Sequence, residues 1–321
     1  MEPLITVRDL KKYYPIKRID SFTRFDQLKA IDGISFDLFA GETLGLVGES
    51  GCGKSTTRKL MLNVEPPTGG EIRYRGDNIF SMPKWALKQY RRNVQTVYQD
   101  PYSSLNPKWK VMKLVAEPMV IHRIGDRKSR ENKVKELLAL VGLREQYADS
   151  FAHEFSGGQR QRLCIARALA LDPEVIIADE PVSALDVSIQ AQVINLFQDL
   201  KERLNLTYLF ISHDLNVVRH ISDRVAVMYL GRIVEIAETE ELFEKPLHPY
   251  SKALIKAIPL ADPEQREIIP SLKGEIPSPI DPPPGCTFNT RCPEAMDVCR
   301  QVIPVLEPQD GLRQVACHLY H

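Results

Sequence analysis

The stretch that decides the fold is "GESGCGKS", residues 48–55. It follows the apolar run "TLGLV" and precedes "TTRKLMLNV", so the sequence predicts a strand, a glycine-rich loop and a helix in that order. Glycines let successive backbone N–H groups turn inward around phosphate oxygens, and the helix N-terminus adds partial positive charge. Lys54 would neutralise the β- and γ-phosphates, and the Ser55 hydroxyl would coordinate Mg²⁺. The loop therefore predicts a nucleotide-binding α/β protein.

Composition limits the classes of protein that this chain can belong to. It has 321 residues, of which 43% are hydrophobic, with 42 basic and 42 acidic side chains. This is typical of a soluble globular protein, and the balanced charge argues against a nucleic-acid partner. The start, "MEPLITVRDLKKYY", does not resemble a secretory signal, and no window approaches the roughly 18 apolar residues of a spanning helix. We therefore expect any membrane role to come through partner proteins.

Strand and helix patterns alternate along the chain. "LITVRDL" and "AIDGISFDLFAGETLGLVG" contain short apolar runs broken by Gly and Asp, which predicts strands. "EVIIADEP" predicts a strand buried on both faces, and it is followed by a helix, "SIQAQVINLFQDLKERLN", and a further buried strand, "TYLFIS". Residues 106–147 instead place apolar residues three and four apart among charges, which predicts a helical insert.

Polar side chains follow two of these buried strands. Asp179 and Glu180 come after "VIIA", and His213 follows "TYLFIS". The carboxyl ends of neighbouring parallel strands meet in one crevice, where ligands of such sheets bind. Asp179 suits direct or indirect Mg²⁺ coordination, Glu180 can polarise the attacking water, and His213 can bond the γ-phosphate or that water.

A second anion-binding helix start lies in "FSGGQRQRLCIARALA". Ser156 is a natural N-cap, and the helix predicted from Gln159 to Ala170 presents its positive end outward. This helix start lies on the helical insert, and one chain does not easily fold both helix starts onto one nucleotide. The arrangement predicts a head-to-tail dimer with nucleotide between the two chains.

The C-terminal region differs from the rest in composition. It contains thirteen of the 23 prolines and four of the six cysteines: Cys286, Cys292, Cys299 and Cys317. Because a cytosol keeps thiols reduced, clustered cysteines favour metal or cluster ligation over disulfides. Four thiolates suit either zinc or a [4Fe-4S] cluster, and the spacing C-x5-C-x6-C-x17-C does not distinguish them. We expect a separate, irregular appendage pinned by a structural metal centre.

The ordered motifs resemble those of the ATP-binding subunits of ABC transporters, over nearly the whole chain. "GESGCGKST" resembles the Walker A loop, "VYQDP" the Q-loop, "SGGQ" the signature, "VIIADE" Walker B, "SALD" the D-loop and "ISHD" the switch histidine. Phe155 departs from the leucine that is usual before the signature. "HPYSKAL" and "GCTFNTRCP" are similar to the second ATPase subunit of oligopeptide and dipeptide importers.

The resemblance implies an α/β P-loop NTPase core, with a RecA-like parallel sheet and an antiparallel β subdomain, at residues 1–98 and 171–248. It implies an inserted helical signature subdomain at 99–170 and an irregular Cys-rich appendage at 249–321. Catalysis is assigned to Glu180, His213 and Gln99, and Mg²⁺ coordination to Ser55, Gln99 and Asp179. Tyr14 is expected to stack on adenine, with Tyr13 as second choice. The remaining ATP contacts are Gly48, Glu49, Ser50, Gly51, Cys52, Gly53, Lys54, Ser55, Thr56, Ser156, Gly157, Gly158, Gln159 and Asp186.

The resemblance also implies a role and partners. The chain is expected to power peptide import at the cytoplasmic face of the inner membrane. Its partners would be a related second ATPase subunit, two membrane-spanning permeases and, indirectly, a solute-binding protein. Family members with this tail resemble cluster binders, so the resemblance favours a [4Fe-4S] cluster over zinc. The alternative function is that of a soluble ABC ATPase acting on ribosomes or nucleic acid.

Overall fold

The computed structural model describes residues 2–17, 25–258 and 274–320. Its strands are β1 (Ile5–Lys17), β2 (Phe25–Leu38), β3 (Thr43–Val47), β4 (Gly69–Tyr74), β5 (Asp77–Asn78), β6 (Val94–Val97), β7 (Val175–Asp179), β8 (Thr207–Ile211), β9 (Arg224–Tyr229), β10 (Arg232–Glu238), β11 (Glu307–Pro308) and β12 (Gln314–Val315). Its α-helices are α1 (Lys54–Met61), α2 (Lys84–Asn93), α3 (Pro101–Ser104), α4 (Val111–His122), α5 (Arg127–Leu140), α6 (Gly157–Leu169), α7 (Val187–Leu204), α8 (Leu215–Ile221), α9 (Thr239–Glu244) and α10 (Pro249–Lys256). Two compact units are present, the first formed by residues 1–38, 44–80 and 212–321 and the second by 39–43 and 81–211.

The first unit contains an antiparallel sheet in the order β2-β1-β4-β5. β1 and β2 pair along their length, from Ile5 opposite Leu38 to Lys17 opposite Phe25. The described pairing ends at Lys17 and Phe25, and residues 18–24 lie outside the described part of the chain.

A second group of strands in the same unit places the phosphate loop. β3 pairs with β9 in parallel, from Leu44 opposite Arg224 to Val47 opposite Val227, and β10 follows antiparallel to β9. Every residue of β3 and β9 is buried. This burial explains why "TLGLV" is apolar at nearly every position and shows no alternation.

Most of the described C-terminal segment has no regular structure, but it is not separate as the sequence predicted. β12 pairs antiparallel with β10, with Val315 opposite Glu235, and β11 pairs with β12. These strands cover the edge of β10, whose backbone groups would otherwise lack ladder partners. Sequence analysis missed them because each has only two residues, and Pro308 fits because β11 is an edge strand.

The second unit contains three parallel strands in the order β8-β7-β6. The predicted strand-helix-strand unit is confirmed as β7, α7 and β8. Phe197 of α7 packs edge-on against Tyr208 and Phe210 of β8, at ring-centroid distances of 5.5 and 5.9 Å. The predicted helical insert forms α4 and α5, which pack on α6. Within the residues that the structure describes, no helix has the length and apolar character required to cross a membrane.

Candidate functional site

The loop between β3 and α1 has a backbone that requires glycine. Gly48, Gly51 and Gly53 have positive φ angles of 151°, 79° and 113°. A Cβ atom on Gly48 would lie 2.1 Å from the carbonyl oxygen of Met228, and one on Gly53 would lie 2.4 Å from that of Ala30. Both separations are shorter than any real Cβ contact, so these positions exclude side chains. The glycines predicted from the motif therefore shape the loop.

Lys54 is the first residue of α1, and its side chain lies over the loop. The residue is 6% exposed, and Nζ donates to the carbonyl oxygens of Gly48 at 2.7 Å and Glu49 at 3.1 Å. The ammonium group and the N-terminal N–H groups of α1 thus converge on one loop, which suits phosphate binding. Ser55 lies exposed in the first turn of α1.

His213 lies beside the end of β3. The backbone N–H of Ser212 donates to the carbonyl of Leu46 at 3.3 Å, which places the following residue near the strand end that leads into the phosphate loop. The His213 side chain is exposed. The first unit therefore brings the predicted histidine and the phosphate loop to the end of the same strand.

The two adjacent tyrosines of β1 have different partners. The Tyr14 hydroxyl donates to Glu65 at 2.6 Å. Burial and this carboxylate raise the pKa of Tyr14 to about 12, while a hydrogen bond with Thr56 lowers it. The Tyr13 hydroxyl instead bonds Asp32. Tyr14 is therefore the tyrosine beside the first turn of α1.

The predicted catalytic carboxylates lie at a strand end in the second unit. Asp179 ends β7 and is 6% exposed, and the N–H of Glu180 donates to the carbonyl of Ile211 at 2.8 Å. Glu180 has a positive φ of 47°, which is uncommon for a residue other than glycine and is found at strained functional sites. Gln99 lies two residues beyond β6, the parallel neighbour of β7, and is exposed. The parallel pairing of β6 and β7 thus brings Gln99, Asp179 and Glu180 to the carboxyl end of the same two strands.

The signature stretch begins helix α6 with a reciprocal cap. The N–H of Gln159 donates to Ser156 Oγ at 3.4 Å, and the N–H of Ser156 donates to Gln159 Oε1 at 3.0 Å. The helix begins at Gly157, two residues earlier than predicted, because both glycines adopt helical conformation after the cap. A Cβ on Gly158 would lie 2.4 Å from Ile189 Cγ2, so glycine allows α7 to approach closely.

Two further residues of the signature region have clear positions. Phe155, the departure from the usual leucine, is 6% exposed and packs edge-on against Tyr147 at 5.3 Å between ring centroids. The larger ring therefore enters a core contact and does not disturb the cap. Asp186 is the N-cap residue of α7 and is exposed.

The four C-terminal cysteines all lie in the first unit. The N–H of Cys286 donates to the carbonyl of Cys299 at 2.8 Å. Burial raises the pKa of Cys286 to about 11, and the nearby charges of Cys299, Cys317 and Cys292 raise it as well. Yet across residues 2–17, 25–258 and 274–320, no three His, Cys, Asp or Glu side chains are grouped so as to hold a metal ion. The fold thus collects the thiols in one region without the coordination geometry that the sequence predicts.

Sequence analysis missed one side chain at the phosphate loop. Arg291 donates to the Glu49 carboxylate at 2.8 and 3.1 Å, although 242 positions separate the two residues. Arg291 falls within the tail motif "GCTFNTRCP", but no local pattern placed that motif near the loop.

Comparison with known proteins supports this assembly of motifs. The ABC transporter family model matches residues 31–183, and the model of the oligopeptide/dipeptide transporter C-terminal region matches 234–299. The chain is 53% identical to the oligopeptide transport ATP-binding protein AppF of Bacillus subtilis, over 99% of this chain and 98% of that protein. It is 50% identical to the dipeptide transport ATP-binding protein DppF of Haemophilus influenzae, over 98% of this chain and 96% of that protein.

Solved structures show the same fold. The dimeric post-hydrolysis structure of the ATP-binding cassette MJ0796 bound to ADP and Pi superposes with a TM-score of 0.64 at 27% identity, covering 73% of this chain and 98% of that one. The structure of cbiO1 from Clostridium perfringens, part of the ABC transporter complex cbiONQ, gives a TM-score of 0.65 at 25% identity, covering 76% and 92%. The chain is identical to the relatives AppF and DppF at about half of its positions, and the matched length includes both the ATPase motifs and the C-terminal region. The chain therefore belongs to the ABC transporter family, among its oligopeptide and dipeptide transport ATP-binding proteins.

Proposed function

We propose that this chain binds and hydrolyses ATP to drive uptake of oligopeptides or dipeptides through a membrane transporter. The observation that carries the proposal is a phosphate loop closed by Lys54 in a chain whose relatives match it almost end to end. Those relatives are named peptide transport ATP-binding proteins, which argues against the ribosome or nucleic-acid alternative.

Within the first unit, the phosphate loop and its neighbours bind the nucleotide. The loop N–H groups and Lys54 hold the phosphates, and Ser55 offers its hydroxyl to Mg²⁺. Tyr14 stacks on adenine, which is supported by its place beside Thr56. His213 bonds the γ-phosphate or the attacking water, supported by its place at the end of β3.

Within the second unit, the strand-end side chains act on Mg²⁺ and water. Asp179 and Gln99 offer oxygen ligands to Mg²⁺, and Glu180 polarises the water that attacks the γ-phosphorus. Attack breaks the bond between that phosphorus and the bridging oxygen, which releases ADP and inorganic phosphate. The capped start of α6, with Ser156, Gly157, Gly158 and Gln159, and Asp186 bind ATP held by a related second ATPase subunit.

The decisive test of the catalytic assignment is Glu180→Gln. We expect this variant to bind ATP but to lose turnover by about 100-fold or more, because the carboxylate that polarises water is gone. The control is Glu202→Gln, which removes an exposed carboxylate of α7 and should leave turnover unchanged. Wild-type turnover in Glu180→Gln would refute the role of this residue.

The peptide substrate requires its own test. Cells that contain the complete transporter should take up labelled di- and oligopeptides, and Lys54→Ala should abolish uptake because ATP binding is lost. Uptake that persists undiminished in Lys54→Ala cells would separate this chain from peptide transport, whatever its ATPase activity.

We also propose that Cys286, Cys292, Cys299 and Cys317 hold a metal centre, with a [4Fe-4S] cluster ahead of zinc. Support comes from the fold, which brings all four cysteines into the first unit and joins Cys286 to Cys299 through a backbone hydrogen bond, although the described thiols are not grouped for coordination. A bound centre would take the thiols as thiolates and cross-link a segment with little core of its own. Iron, acid-labile sulfide and zinc per chain, measured after anaerobic purification, test this. Loss of the metal in Cys299→Ser but not in Cys164→Ala is expected, and protein with neither metal overturns the proposal.

The partners follow from the same assignment. The chain joins a related second ATPase subunit and two permease subunits at the cytoplasmic face of the inner membrane, and residues 99–170 pass its motions to the permeases. A solute-binding protein delivers the peptide. Co-purification with membrane subunits is the expected result, and co-purification with ribosomes in their place would contradict it.

A further inference from the structure

The phosphate loop contains a carboxylate where it should be unfavourable. Glu49 is the second residue of the loop, and a negative side chain there would repel a bound polyphosphate. Its side chain is 24% exposed, so water screens its charge only partly. The fold must therefore compensate for Glu49 if the loop is to bind ATP well.

Arg291 supplies that compensation. Its Nη1 donates to Glu49 Oε2 at 2.8 Å and its Nη2 to Oε1 at 3.1 Å, which is the bidentate geometry of strong arginine–carboxylate pairs. The Arg291 side chain is only 5% exposed. Both charges are thus held close together and largely out of water.

Aromatic packing fixes the guanidinium group. Its carbon lies 5.8 Å from the ring centroid of Tyr229 and 6.0 Å from that of Phe288, and Nη1 also donates to the Tyr229 hydroxyl at 3.4 Å. Phe288 is fully buried and contacts Tyr229 and Tyr250, at centroid distances of 5.2 and 5.4 Å. Arg291 is therefore held by both rings and the Tyr229 hydroxyl in the position from which it reaches Glu49.

A second contact holds the backbone of the same loop residue. The N–H of Glu49 donates to the Tyr250 hydroxyl at 3.0 Å, and Tyr250, in α10, is fully buried. Both the side chain and the main chain of Glu49 are thus held by residues that follow position 248. The C-terminal part of the first unit is physically joined to the phosphate loop.

We propose that Arg291 is a positioning residue for ATP binding, which neutralises Glu49 and fixes the phosphate loop, so that the C-terminal segment sets the affinity for ATP. The proposal rests on the assignment of this loop to the ATP phosphates. Arg291 lies on a tight turn, where the N–H of Asn289 donates to Cys286 and that of Cys292 to Phe288. Any change that moves this turn therefore changes the charge pair.

The test is a double-mutant cycle on the dissociation constant for ATP, measured on the full chain with a fluorescent ATP analogue. Arg291→Gln should weaken binding on the order of tenfold, because the Glu49 charge is left without its partner near the phosphates. Glu49→Gln leaves the Arg291 charge unopposed near the phosphates and should tighten binding, and the double variant should recover most of the loss. High ionic strength should shrink the defect of Arg291→Gln, because salt screens the repulsion between the unpaired carboxylate and the ATP phosphates.

Two control variants separate the possible failures. Lys252→Gln removes a 3.7 Å ion pair to Glu294, another link between α10 and the tail, and should leave ATP affinity unchanged. Lys54→Ala should abolish ATP binding, and if it does not, the assignment of the loop itself fails.

If Lys54→Ala behaves as expected while a folded Arg291→Gln binds ATP like wild type, the present proposal alone is overturned. It is also overturned by a loss that is equal in the single and double variants and independent of salt, since that pattern describes a structural defect. Should Arg291→Gln not fold, Glu49→Gln alone decides the matter: tighter ATP binding supports the proposal, and unchanged or weaker binding overturns it.

Discussion

Arg313→Met tests whether one buried ion pair holds the end of the chain on β10. Arg313 is 4% exposed, and its Nη2 lies 2.7 Å from Oε1 of Glu235, which is fully buried. Nη1 also contacts Glu241 at 2.9 Å. The Glu235 carboxylate accepts two further bonds at 2.9 Å, from the N–H groups of Leu247 and His248. Methionine fills a similar volume but leaves the Glu235 charge without a guanidinium.

The size of the effect follows from this burial. Removing one partner of a buried pair costs about 3–5 kcal/mol of unfolding free energy. The two retained N–H bonds stabilise the Glu235 carboxylate, so we expect about 3 kcal/mol, the lower end of that range. Arg219 and Glu240 form a pair at 2.7 Å with side chains 49% and 65% exposed. Arg219→Met should therefore cost only about 0–1 kcal/mol.

Urea unfolding of both variants measures the difference. A third variant, Arg313→Met with Glu235→Leu, removes the buried charge as well and should recover part of the stability. If Arg313→Met loses no more unfolding free energy than Arg219→Met, with the same m value for both, the pair between Arg313 and Glu235 contributes little and the reasoning is refuted.

Three further predictions concern single positions. Burial lowers the pKa of His248 from 6.5 to about 3, so below pH 6.5 the unfolded chain binds a proton that the folded chain does not. The contribution of His248 to the free energy of unfolding should then fall by up to about 1.4 kcal/mol per pH unit between pH 6 and pH 4. The variant His248→Asn keeps a capping side chain and should lose stability less steeply over this range. Equal pH dependence of the unfolding free energies of the two proteins would contradict this. Gly285 has a φ of 72°, and Gly285→Ala would place a Cβ 2.4 Å from the Cys299 carbonyl oxygen, so this variant should lose about 1–3 kcal/mol of unfolding free energy. Gly311→Ala, whose Cβ would lie in open space, should lose less. Equal losses of unfolding free energy in the two variants, measured by urea unfolding, would show that the close contact is not the cause. Ser156→Ala should lower the free energy of unfolding by about 1 kcal/mol and speed amide hydrogen exchange in the first turn of α6, whereas Ser156→Asn keeps a capping side chain and should do neither. Unchanged amide exchange in Ser156→Ala would disprove the role of this cap.

Local patterns in the sequence predicted the elements that present the site. "GESGCGKS" predicted the loop because Gly48, Gly51 and Gly53 take positive φ angles that favour glycine. "VIIAD" is apolar throughout because every residue of β7 is buried. Ser156 and Gln159 predicted a helix start because they satisfy each other's backbone groups within one turn. In each case the pattern that made the prediction possible lies within a few adjacent positions of the sequence.

Tertiary structure decided the features that depend on distant residues. It chose which tyrosine lies beside Thr56, since Tyr13 and Tyr14 are adjacent in the chain and differ only in the partners that their hydroxyl groups reach. It added β12 to the edge of β10, a pairing too short for any pattern to predict. It also paired Arg291 with Glu49 across 242 positions of sequence. The sequence alone determined the phosphate loop, because its geometry is local; the charge partner of that loop was decided by packing, because a contact between distant segments exists only once the chain between them has folded.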